Sequence, residues 1–183
     1  LPGRIDRVDL ILNDAPGFLS RWENGFHIQT SLQRREIMAQ MLGAFRLNLE
    51  ALSLLALFVG SGHAPNIEAG RAILAMAPSL PDVTFLLAGR HSRFLDQRRI
   101  PDNVRLLGPI GDDQLGDLLA AADVALNPMG TGGGSNLKVL GYFAAGVPVV
   151  STAVGSRCMG DAHRYMTLSS LEEFPEAVRN TVS

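Results

Sequence analysis

AADVALNPMGTGGGSNLKVLGYFAAGVPVVST, residues 121–152, reads as strand, turn, helix and strand in succession. Asp123 to Asn127 is a short apolar run. Pro128 to Ser135, PMGTGGGS, is too rich in glycine to continue it, and a helical pattern follows to about Ala145. Gly146 suits the position just past a helix end, and Pro148 stands at the opening of a second apolar run, Val147 to Ser151. Two strands joined through a helix form the parallel crossover unit of α/β folds.

The same rhythm extends upstream. Leu55 to Val59 is a strand ending in Gly60-Ser61-Gly62-His63-Ala64-Pro65. A helix is expected from Asn66, with Ile67, Ile73, Leu74 and Ala77 on its apolar face, stopped by Pro78 and Pro81. Val83 to Ala88, unbroken in apolarity and closed by Gly89, reads as a central strand covered on both faces. Asn103 to Leu107 is a third strand. After Gly108-Pro109, Asp112 is a plausible N-cap for a helix in which Leu115, Leu118, Leu119 and Ala122 form a core stripe. Downstream, Arg164 to Leu168 suggests a sixth strand, and a terminal helix starts near Pro175. These signals predict a Rossmann-like three-layer α/β domain over residues 51–183, with a mainly parallel sheet of about six strands and helices on both faces. Residues 1–50 stand outside the rhythm. Val8, Leu10 and Leu12 alternate like a strand, and Ile37, Met38, Met41, Leu42 and Phe45 mark a helix, giving a segment that reads as a linker or a remnant of a further domain.

Bulk properties narrow the function. Sixteen Lys and Arg against eighteen Asp and Glu give a net charge of −2 in 183 residues, without the basic stripe that nucleic acid requires. The longest apolar run, Leu54 to Val59 with Ala51 and Leu52 just before it, is far short of the ~20 residues of a membrane span. Cys158 has no partner for an internal disulfide and reads as a small packed side chain, so a reducing, cytoplasmic setting is expected. Leu1 follows no initiator Met or signal-peptide pattern, which leads us to expect a fragment or processed chain.

Chemistry is expected at the carboxyl edge of the sheet, where such folds bind ligands. Gly130 and Gly132 to Gly134 allow close approach of the main chain to a phosphate. Ser135 and Asn136 are expected to begin a helix whose free N–H groups favour an anion, and Lys138 adds a full positive charge. His63 lies in a loop without an evident partner. His91 and His163 show no metal-binding spacing.

ALFVGSGHAPNIEAG at 56–70, PDVTFLLAG at 81–89, NVRLLGPI at 103–110, AADVALNPM at 121–129 and GGGSNLKVLGYFAAGVPVVST at 132–152 resemble, in order and spacing, landmarks of family-4 glycosyltransferases of the GT-B fold. The resemblance implies the C-terminal, nucleotide-sugar-binding half of such an enzyme, inactive without an N-terminal acceptor domain. It implies that Gly60 and Ser61 line the sugar-diphosphate cleft and that Gly108, Pro109 and Ile110 hold the base. Gly132, Gly133, Gly134, Ser135, Asn136 and Leu137 would take the diphosphate of a UDP- or GDP-linked sugar, with Lys138 as the catalytic cation and no metal or other cofactor. The chain departs from the family where glutamates align with Gly133 and Gly141, and where an Arg and a Lys align with Ser61 and Asn66. Arg90 is a candidate substitute for the lost charge. An NAD(P)-binding domain remains open, because Gly60 to Pro65 nearly spells a dinucleotide fingerprint, although Pro65 replaces its third glycine. A non-catalytic relative that lost its donor site and a nucleotide-sugar epimerase also remain open.

Overall fold

The computed structural model describes residues 54–182 apart from Gly133 and Ser135. The strand and helix expected within residues 1–50 lie outside the described residues. The six strands are β1 (Leu54–Val59), β2 (Val83–Ala88), β3 (Val104–Gly108), β4 (Val124–Asn127), β5 (Val149–Ser151) and β6 (Met166–Leu168). They form one sheet in the order β3-β2-β1-β4-β5-β6, and every neighbouring pair is parallel. The order in which successive strands are added reverses between β1 and β4, the place where an open α/β sheet leaves a crevice at its carboxyl edge.

Alternation along the strands sorts the core into two layers. Ala56 and Phe58 of β1, Phe85 and Leu87 of β2, and Val124 and Leu126 of β4 pack on one face. That face is covered by α1 (Ala64–Met76), through Ala69 and Ile73, and by the terminal helix α4 (Phe174–Val182), through Phe174 and Val178. Leu55, Leu57, Leu86 and Ala125 point the other way. They meet Leu118 and Ala121 of α2 (Asp112–Ala121) and Val139 and Tyr142 of α3 (Lys138–Ala144). The three-layer architecture therefore follows from the period-two pattern of the strands.

Element boundaries depart from the expectations in ways that local chemistry explains. Helix α1 begins at Ala64, two residues before Asn66, because Pro65 falls in the first turn, where a missing N–H costs nothing. Ala77 leaves the helix for a short 3-10 turn, Ala77–Ser79. Gly111, rather than Asp112, caps α2, and its N–H donates to Gln114 Oε1 at 3.0 Å. Asp123 precedes β4 instead of opening it, and its carboxylate accepts from the Leu55 N–H at 2.9 Å. Met166 opens β6 after a 3-10 segment, Gly160–Tyr165. Gly146 sits at φ 67° and donates to the Phe143 carbonyl, the helix stop expected of it.

Candidate functional site

The crevice opens because β1 and β4 pair at only two positions, Ala56↔Val124 and Leu57↔Ala125. Beyond Leu57 the strands part. The Val59 N–H, left without a strand partner on that side, donates to the buried Tyr142 hydroxyl at 2.9 Å. Burial pushes the pKa of this phenol upward, keeping it neutral. Two loops frame the mouth, residues 60–63 after β1 and the described residues of 128–137 after β4.

The first loop is pinned from below. The buried imidazole of His91 lies 2.9 Å from the Gly60 carbonyl. A carbonyl only accepts, so Nδ1 carries the proton. Burial, with a smaller contribution from the Lys138 charge, lowers the His91 pKa against the opposing pull of the Gly60 bond. Neutral His91 leaves Nε2 buried without a hydrogen-bond partner. Gly89, at φ 116°, lies against the same loop, where a Cβ would fall 2.0 Å from the Gly60 oxygen. Its N–H reaches the Gly108 carbonyl at 2.6 Å. The glycines at the ends of β1, β2 and β3 therefore abut along one continuous rim. The amides of Ser61, Gly62 and His63, at the start of α1, have no hydrogen-bond partner among the described residues.

The second loop rests on α1 and is braced by the loop after β5. Gly132, at φ 111°, packs on Pro65, and Thr131 donates to Glu68 at 2.5 Å. Thr152 Oγ1 donates to the Met129 carbonyl at 2.6 Å. The Gly155 carbonyl accepts from Asn127 and Asn136 at 3.0 and 2.9 Å. The Arg157 guanidinium bonds the Gly132 carbonyl.

Lys138 is the centre of the site. It is the first residue of α3 and turns its amine inward, 2.6 Å from Asn66 Oδ1, 3.6 Å from Met129 Sδ and 4.6 Å from the centroid of the Phe58 ring. No carboxylate pairs with it among the described residues. Burial alone lowers its pKa to about 8. A desolvated ammonium with only neutral partners is poised to accept an anion.

The structure unites Gly60, Ser61, Gly132 and Lys138 at this mouth. Gly108, Pro109 and Ile110 lie on the same edge two strands away, with the Ile110 side chain packed against the α2–α3 layer. Arg90 is exposed, its Cβ 3.5 Å from where a Cβ on Gly62 would stand, at the outer side of the first loop. Gly134 is exposed, and Leu137 is 68 % exposed. Gly133 and Ser135 are outside the described residues. The expectation that Ser135 and Asn136 begin the helix is corrected for Asn136. It adopts φ 49°, a left-handed conformation that asparagine tolerates, and α3 starts two residues later. Cys158 is also corrected, being exposed at φ 67° rather than packed. His63 is exposed at the N-cap of α1 and makes no side-chain cap bond. His163 bonds the Gly160 carbonyl of its own turn. Among the described residues no three His, Cys, Asp or Glu gather as metal ligands.

Sequence reasoning missed Asn66, Phe58 and Met129, which hold the amine, and His91, which holds the loop. One signal was available. Lys138 is the single lysine in a chain with fifteen arginines, a compact, titratable amine where every other basic side chain of this length is a guanidinium.

Comparison with known proteins places this geometry in context. The family described as Glycosyl transferases group 1 matches residues 53–183. The C-terminal domain of a group 1 glycosyl transferase from Francisella tularensis aligns at a TM-score of 0.53 and 13% identity, covering 78% of this chain and 80% of that one. A UDP-forming trehalose-phosphate synthase from Burkholderia xenovorans aligns at 0.58 and 14% identity, over 91% of this chain and 42% of that one. Anabaena HepE, solved with UDP and glucose, aligns at 0.51 and 17% identity, over 84% of this chain and 52% of that one. At these identities the likeness is one of fold. A curated relative, an uncharacterized ABC transporter permease protein of Mycobacterium tuberculosis, is 43% identical over 63 residues, and the chain spans 7% of its length. No described helix is long and apolar enough to cross a membrane.

Proposed function

The chain belongs to the glycosyl transferases group 1 family, and from that premise we propose that residues 54–182 form the donor-binding domain for transfer of a sugar from a nucleoside diphosphate. The observation that carries this reading is the Lys138 amine, without a carboxylate partner among the described residues, at the reversal of strand order and facing the N-terminus of α1. Helix α3 is only seven residues long and adds little dipole, whereas α1 has thirteen and is preceded by the amides of Ser61 and Gly62, which have no hydrogen-bond partner among the described residues. In this reading the diphosphate lies across the mouth and the base rests against Gly108 to Ile110. Lys138 stabilises the negative charge that develops on the leaving diphosphate, charge that a protein-borne cation offsets without a bound metal. The acceptor is held by an N-terminal domain, so this chain alone binds donor without transferring it. The chain works in the cytoplasm, a setting consistent with its single free thiol.

The HepE structure with UDP and glucose makes UDP the first nucleotide to test. Isothermal titration with UDP, GDP and their glucose conjugates should give saturable binding, and Lys138→Ala should weaken it by about 1 to 3 kcal/mol. Selective binding of NADPH instead would overturn the assignment.

One observation favours a second reading, a relative that kept the fold and lost its donor grip. Gly141 stands where the family resemblance places a glutamate, and a Cβ there would meet nothing within 4 Å. The position has room for a carboxylate and lacks one. A well-folded chain that binds none of these nucleotides would establish that reading.

A further inference from the structure

The partners of the Lys138 amine raise a question of reach. Its N–H groups face Asn66 Oδ1, Met129 Sδ and the Phe58 ring, all inside the crevice. Ser61, at the rim, is exposed. Asn66 stands between them. An ammonium only donates, so the Asn66 oxygen must face Nζ and its amide nitrogen must face away. That nitrogen donates to Ser61 Oγ at 2.9 Å. Because Ser61 Oγ accepts this bond, its own proton is left to donate, and no other partner among the described residues takes it. The three groups form a chain in which every bond runs outward from the buried charge.

We propose that Asn66 is a positioning residue that carries the polarity of Lys138 to Ser61, whose hydroxyl then donates to an anionic oxygen of the bound diphosphate. The proposal rests on the donor-site reading above. Hydrogen bonds in series polarise one another, and one that starts on a cation strengthens those beyond it. No proton changes owner. The chain lets a single desolvated amine act at the exposed rim while remaining against Phe58 and Met129. Asn66 also fixes the hydroxyl orientation before any ligand arrives, which lowers the entropy cost of binding. The other groups around the amine leave this route undisturbed. Phe58 and Met129 are uncharged. His91, from the segment after β2, is held neutral by burial, and Glu68 on α1 is engaged by Thr131.

Two measurements on the 183-residue chain test this. The first is titration calorimetry with UDP and with inorganic pyrophosphate. Ser61→Ala and Asn66→Ala should each weaken binding roughly three- to tenfold, and the double variant should be no weaker than the poorer single one. Losses that multiply would mean independent contacts and would overturn the relay, as would wild-type affinity in Ser61→Ala.

The second needs no ligand. Because Lys138 is the only lysine, carbon-13 lysine labelling gives one titrating resonance. Asn66→Asp places a carboxylate beside the amine and should raise its midpoint by about one pH unit or more, while Ser61→Ala should leave it in place. A midpoint indifferent to Asn66→Asp overturns the positioning role, whatever the calorimetry shows. If wild type binds neither probe, the donor reading and the role of Ser61 fall together. The lysine resonance then still decides whether Asn66 holds the amine.

Discussion

At the scale of single residues, Lys138 is a group whose burial opposes stability. Its pKa falls from 10.5 to about 8 on folding, so between those values the unfolded chain binds more protons than the folded one, and stability rises with pH across that window. Below about pH 8 the folded chain carries the whole desolvation penalty. Lys138→Met keeps the volume and the contacts with Phe58 and Met129 while removing the charge. It should therefore raise Tm at pH 7 by several degrees and flatten the rise between pH 8 and 10.5, while weakening pyrophosphate binding. A lower Tm in differential scanning calorimetry would show that the Asn66 bond outweighs the desolvation. His91 adds a step of the same sign at lower pH. Its folded pKa lies below 6.5, so its contribution is lost as pH falls from about 6.5 through the folded value. The Lys138 position was legible in the sequence as the charge after a glycine-rich turn. Its inward direction was not, because Asn66 lies 72 residues away and only the tertiary fold brings the two together.

At the scale of elements, α3 and the loop before it show what local sequence can and cannot specify. The strands were legible because apolar runs ending in glycine leave few alternatives, and the stop at Gly146 followed from its need for positive φ. The start of α3 was not legible, since Asn136 takes a left-handed conformation while its side chain bonds the Gly155 carbonyl, a partner 19 residues away. Helix α3 also contains Gly141, with nothing within 4 Å of an added Cβ. Gly141→Ala should therefore stabilise the chain by about 0.5 to 1 kcal/mol in urea unfolding, the ordinary propensity difference. A neutral or adverse result would show that the position answers to something other than helix formation. The next residue has the opposite sensitivity. Tyr142→Phe strips the partner from the Val59 N–H and should cost about 1 to 3 kcal/mol. In the brace, a Cβ on Gly155 would stand 2.4 Å from Asn127 Nδ2 and 2.6 Å from Ser151 Oγ. Gly155→Ala should accordingly destabilise the chain by roughly 1 to 3 kcal/mol and loosen the Pro128–Leu137 loop, seen as faster amide exchange there.

At the scale of the whole molecule, the sheet is two parallel halves joined by a narrow seam. Strands β1 and β2 pair at six positions, from Leu54↔Val83 to Val59↔Ala88, whereas β1 and β4 pair at two. Side chains supply much of the remaining connection: Asp123 to the Leu55 N–H, Tyr142 to the Val59 N–H, Lys138 to Asn66 and Thr131 to Glu68. Three of these four lie at the carboxyl edge, so the edge that carries the crevice is held by side chains more than by strand pairing. Opening along the seam exposes less apolar surface than global unfolding and requires less free energy. Native-state hydrogen exchange should therefore find the Val59 amide opening well before Leu86 and Leu87, which lie within the β1–β2–β3 half. Saturating UDP, by bridging the β1 and β4 loops, should slow Val59 while leaving the core of β2 unchanged. If Val59 and β2 exchange together at the global rate, with or without nucleotide, the halves do not open separately, and the crevice is a rigid notch rather than a joint.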